Sequence, residues 1–174
     1  MKKTGLNAVI ILAASVIVLF SSMAFAAPTS RTVLSVSEKK GSIYAVYDDG
    51  KSVKISKKGK FKSPKLAADK RTIGYLNSSR MGPKDGLAIS YTIDASSILY
   101  IYKDGKVLIE VSPDSRPFIW EWKFHNDGKQ VVLKTGHTHG LSNYELYDIE
   151  KNKLIEEFAE KENTKMPDWA QGLE

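Results

Sequence analysis

Three histidines, His125, His137 and His139, are the only imidazoles in the chain. On extended backbone, residues two apart project to one face. His137 and His139 would then offer two ring nitrogens, and a carboxylate from elsewhere could complete a zinc-type ligand set. Gly136 and Gly140 flank the pair, so the segment reads first as a polar loop and only second as a metal site. There is no cysteine and no His-Glu-x-x-His, which removes thiolate ligands, disulfides and the common zinc-hydrolase signature. Nucleophilic catalysis has no better footing. Gly140-Leu141-Ser142 lacks the closing glycine of a Gly-x-Ser-x-Gly elbow, and no glycine-rich phosphate loop occurs. No catalytic residue, cofactor or resident metal is expected.

Aromatic residues offer a different chemistry. Trp120 and Trp122 are two apart in Phe118 to Phe124 and would share one strand face, with Ile119 and Glu121 opposite. Core packing is the first expectation for such a pair. The alternative is a platform on which the rings stack against the apolar C–H faces of a sugar. The glycine-rich polar loop from Asn77 to Gly86 could hold a ligand at a rim, or serve as an ordinary connector.

Charge is unevenly spread. Between Lys51 and Arg71 stand nine basic residues, Lys51, Lys54, Lys57, Lys58, Lys60, Lys62, Lys65, Lys70 and Arg71, against the single acid Asp69. From Leu141 onward there are nine acids and four lysines. Such a split steers an anionic partner to one end or favours head-to-tail association of two copies. A solvated lysine face that guards strand edges is the plainer reading. Only Phe61 interrupts the basic stretch with an aromatic ring, so nucleic acid is not an expected partner. An envelope protein or an anionic polymer fits better.

Export is the reason for naming the envelope. Lys2 and Lys3 precede an apolar run from Ala8 to Phe20, and Ala24-Phe25-Ala26 has the small-residue spacing of a signal-peptidase site. Cleavage before Ala27 would leave 148 of the 174 residues and lower the formal net charge from +6 to +4. The alternative is an uncleaved anchor, since Leu6 to Ala27 is long enough to span a bilayer. A periplasmic or secreted protein is expected, with residues 27–160 as one β domain and 161–174 as a tail.

The elements that must position these residues are strands. Period-two alternation marks Thr32 to Val36, Ser42 to Tyr47, Lys51 to Ser56, Thr72 to Leu76, Leu87 to Ile93, Ile98 to Tyr102, Lys106 to Val111, Phe118 to Phe124, Gln130 to Lys134, Asn143 to Asp148 and Leu154 to Phe158. Asp49-Gly50, Asp104-Gly105 and Asp127-Gly128 supply hairpin turns. The class is all-β, built of antiparallel hairpins. Three segments share a plan of aromatic strand, terminal tyrosine, polar turn, lysine and second strand. Their tyrosines are Tyr47, Tyr102 and Tyr147, spaced 55 and 45 residues apart, near the period of propeller blades.

Ser63-Pro64 followed by Ala68-Asp69-Lys70-Arg71-Thr72-Ile73-Gly74-Tyr75-Leu76 resembles the blade signature of TolB-like, WD40-like β-propeller repeats. Trp122-Lys123-Phe124 with Asn126-Asp127-Gly128-Lys129-Gln130 is similar to a second copy, and Tyr144-Glu145-Leu146-Tyr147-Asp148-Ile149 to the strand that follows. The resemblance implies about three blade-like repeats and an interaction scaffold more than a reaction. Three blades are too few for an ordinary ring, which needs four to eight. A partial array must cap itself, close as a small barrel, or be completed by another copy. In the tail, Pro167 to Gly172 reads as a short helical turn whose Trp169 and Leu173 plug a sheet edge.

Together these features predict a non-catalytic binding or scaffold module of the envelope. A carbohydrate- or small-ligand-binding protein using Trp120, Trp122, His137 and His139 is the alternative, and a metal-dependent hydrolase a distant third.

Overall fold

Short runs of alternating residues closed by Asp-Gly and Asn turns fold as up-and-down hairpins, giving thirteen strands among the described residues. A computed structural model describes residues 31–81, 93–113, 118–137, 140–161 and 163–173, with the backbone path alone at 79–81 and 93–95. The first sheet contains β1 (Val33–Lys39), β2 (Ser42–Tyr47) and β3 (Ser52–Lys54), in that order. The second contains β4 (Phe61–Leu66), β5 (Thr72–Asn77), β8 (Leu99–Lys103) and β9 (Lys106–Val111). Between β5 and β8 the hairpin continues past Asn77 as the two-stranded β6 (Ser79–Met81) and β7 (Ile93–Ala95). The third sheet contains β10 (Phe118–His125), β11 (Gln130–Gly136), β12 (Asn143–Asp148) and β13 (Lys153–Ala159). All pairings are antiparallel. The fold is all-β, and the only helical pieces among the described residues are 3₁₀ turns at Asn126–Gly128 and Asp168–Ala170.

Strand bounds follow the alternation closely at β2, β9 and β12. Of the stretch from Leu87 to Ile93, only Ile93 lies within the described residues, and it opens β7. Two strands were not anticipated, the short β6 and the longer β4. Phe61–Leu66 contains Pro64 between Lys62 and Lys65, yet it forms β4, an edge strand on which a proline costs no ladder bond. A bulge between Lys62 and Lys65, with Ser63 at φ 53°, absorbs the proline.

The sheets pack face to face. Ile43, Ala45 and Tyr47 of the first sheet meet Phe61, Ile73, Tyr75 and Tyr102 of the second. The other face of the second sheet, with Leu76, Leu99 and Ile101, meets Trp122, Val131, Leu133 and Tyr147 of the third. The outer face of the third sheet, with Val132, Tyr144 and Leu146, is covered by the tail residues Met166, Trp169, Ala170 and Leu173. The tail therefore seals a sheet face rather than plugging an edge, because its apolar residues meet side chains, not unpaired backbone. Lys123 holds it there by donating to the Gln171 carbonyl.

Two of the three tyrosines of the repeat occupy equivalent places. Tyr102 and Tyr147 each lie in the third strand of a four-stranded sheet, immediately after a bulge that leaves Leu108 or Ile155 unopposed. Tyr47 lies in the second strand of a three-stranded sheet. All three are buried.

Candidate binding surfaces

Trp122 and Trp120 part company at a bulge. The register of β10 against β11 shifts between Ile119 and Glu121, so Trp120 has no opposite partner. The extra residue puts Ile119 and Trp122, three apart, into one core, where strict alternation would have opposed them. The expectation that Trp120 and Trp122 share a face is therefore corrected. Trp122 is 1% exposed and Trp120 is 40% exposed.

Trp122 is the anchor between the second and third sheets. Its indole N–H donates to the Ser63 carbonyl at 3.2 Å, an acceptor that the β4 bulge provides. Lys65 stands 5.3 Å over the ring and donates to the Trp122 carbonyl. The outer edge of its six-membered ring abuts Gly74: a Cβ there would come within 2.3 Å of it. Trp122 is a core residue, not a ligand platform.

Trp120 lies across Gly136, where a Cβ would come within 2.9 Å of its Nε1, and it packs against Phe118 at 5.4 Å. Leu141 is exposed, and its carbonyl approaches the same point of Gly136. His137 follows Gly136 directly and is exposed. The hairpin thus gathers Trp120 and His137 at one corner, while His139 lies outside the described residues. No group of three histidine or acidic side chains placed to hold a metal occurs among the described residues.

The basic stretch is less uniform than its sequence. Lys51 pairs with Asp49 at 3.5 Å, Lys57 with Glu110 at 3.3 Å, and Arg71 with Asp104 at 2.6 Å. Lys62 is half-buried. Lys54, Lys58 and Lys60 are exposed and have no carboxylate partner among the described residues. Folding adds two lysines to them that the linear run does not contain. The Phe61 N–H donates to the Gly41 carbonyl at 2.8 Å, which places the Lys39-Lys40 turn beside Lys60. The visible signal was the Lys39-Lys40 pair ahead of Gly41, a turn glycine at φ 73°.

A polar network inside the third sheet had no sequence signal. Glu145 is 3% exposed and accepts from Thr135 Oγ1 at 3.0 Å and from the Tyr147 hydroxyl at 2.6 Å. Asn143 Nδ2 donates to Glu157 Oε1 at 2.7 Å. These bonds satisfy a carboxylate that burial would otherwise penalise, and they account for a glutamate on a core face. No protein-family model matches the chain, and no curated protein matches it.

Proposed function

We propose that the chain is an exported, non-catalytic binding or scaffold module of the cell envelope that acts through protein–protein contacts. One observation carries this reading: the two outer faces of the three-sheet stack are treated differently. The third sheet is sealed by the chain's own tail. The first sheet presents Ser35, Ser37, Tyr44 and Lys54 outward, and Lys58 and Lys60, exposed in the segment that follows β3, have no carboxylate partner among the described residues. Exposed cations without internal partners are free to meet an acidic surface, and their attraction is long-ranged and sensitive to salt. The resemblance to TolB-like propeller repeats supports the same reading, since stacked blades serve as contact surfaces.

The exported protein, immobilised and exposed to envelope extract, should retain an acidic partner at low ionic strength. Lys54→Glu/Lys58→Glu/Lys60→Glu should abolish retention without altering the thermal midpoint. Retention unaffected by the three reversals would remove the basic surface from the account.

A second reading rests on Trp120. The β10 bulge turns this ring into solvent next to His137, which suits stacking on a sugar. Trp120→Ala should then abolish retention on an envelope glycan column while sparing stability. Unchanged retention would leave Trp120 a solvent-facing packing residue.

A further inference from the structure

Among the described residues, two strand edges of opposite charge have no further strand paired to them. β3 ends the first sheet and β13 ends the third. In β3, the Tyr47 N–H donates to the Lys51 carbonyl and the Ile55 N–H to the Ile43 carbonyl. Residues 51, 53 and 55 are therefore bonded inward, and alternation turns the backbone groups of Ser52 and Lys54 outward. At β13 the Glu160 N–H donates to the Ser142 carbonyl, so by the same alternation Glu157 and Ala159 present theirs outward.

The side chains along the two edges are complementary. All three residues of β3 are exposed, with Val53 at 37%, and Lys54 and Lys58 are unpaired among the described residues. Along β13, Ile155 is 48% exposed, Glu156 is exposed without a cationic partner among the described residues, and Glu160 follows. Lysine on an edge repels another lysine edge. The same lysine admits an acidic edge.

We propose that β3 of one copy pairs with β13 of a second copy, joining the first sheet of one molecule to the third sheet of the next. The proposal rests on the scaffold reading and names its partner as the chain itself. The contact is heterologous, because each molecule keeps one free edge of each kind, so it propagates beyond a dimer. A ladder from two outward residues of so short a strand is weak, and its charges are screened within about 8 Å at physiological ionic strength.

Sedimentation velocity of the exported protein tests this. At low ionic strength the wild type should form species larger than dimers as concentration rises, and high salt should return it to monomer. Lys54→Glu alone and Glu156→Lys alone should each stay monomeric. In an equimolar mixture of the two variants both kinds of contact are complementary again, the native lysine meeting the native glutamate at one and the two introduced charges meeting at the other, so species larger than dimers should return. A wild type that stays monomeric at low salt, or a mixture that stays monomeric, overturns the proposal. A monomer that still retains an envelope partner leaves the scaffold reading standing, whereas a monomer that retains nothing overturns both.

Discussion

The central strands of the first and third sheets meet their surroundings differently. In β2 buried and half-buried residues alternate from Ser42 to Tyr47, so one face is covered and the other is not. In β12 five consecutive residues from Asn143 to Tyr147 are buried, because the second sheet lies on one side and the tail on the other. The outward residues match these fates. Ser42, Tyr44 and Val46 tolerate water, whereas Tyr144 and Leu146 need a cover. A stack that ends in a polar face and in its own tail buries its apolar faces without a further sheet. Edges and charges remain as its means of association.

The largest effect expected is at the face the second and third sheets share. Trp122→Ala removes a fully buried ring together with its indole hydrogen bond to Ser63, and should cost about 3–5 kcal/mol in denaturant unfolding. Trp120→Ala, two residues away but turned out by the bulge, should cost less than about 1 kcal/mol. Equal losses would mean that the bulge does not separate the two rings.

The sealed outer face should come next. Leu173→Ala opens the contact of the tail with Val132, Tyr144 and Leu146 and should cost about 2 kcal/mol, the low end for a buried leucine. Tyr44→Ala on the open face of the first sheet loses a lysine contact at 5.8 Å and a half-buried ring and should cost less than about 1 kcal/mol. If Tyr44→Ala matched Leu173→Ala, the first sheet would have a cover of its own.

The smallest effect concerns the joint between the first and second sheets. The Val33 N–H donates to the Lys70 carbonyl, within the turn that Asp69 organises. Desolvation works to raise the Asp69 carboxyl. Hydrogen bonds from the Thr72 hydroxyl, from the Arg71 and Thr72 N–H groups and from Lys103 outweigh it and hold the group at about 2. The folded value lies below the ~3.9 of an unfolded aspartate. Its stabilisation is therefore complete above about pH 4 and lost as pH falls through about 2. Asp69→Asn should cost less than about 1 kcal/mol at neutral pH, since the site is partly exposed and screened. It should also flatten the acid limb of the stability curve, and an unchanged limb would assign the acid sensitivity elsewhere.

Most strands were legible because half-buried β residues alternate and Asp-Gly turns punctuate them. Two of the misreadings came from bulges. Pro64 and its neighbouring lysines hid β4, whose irregular step accommodates them. The extra residue at Trp120 reversed a face assignment that period-two counting makes with confidence. The basic surface was half legible. The lysine run stood in the sequence, but its neutralisation by Glu110 and Asp104, and the arrival of Lys39 and Lys40, depend on contacts between segments distant in the chain. Glu145 was invisible as a buried residue, because its burial requires three donors that only the fold assembles.

Site-specific photo-cross-linking measures the difference between the two ends most directly. A photoreactive residue at position 54, on the open first sheet, and another at 171, on the tail that covers the third, would be compared in envelope extract. Adducts should form from position 54, weaken as salt rises, and be absent from position 171. Adducts from 171 with none from 54 would contradict the account, because the sealed end and not the open one would then be the surface that binds.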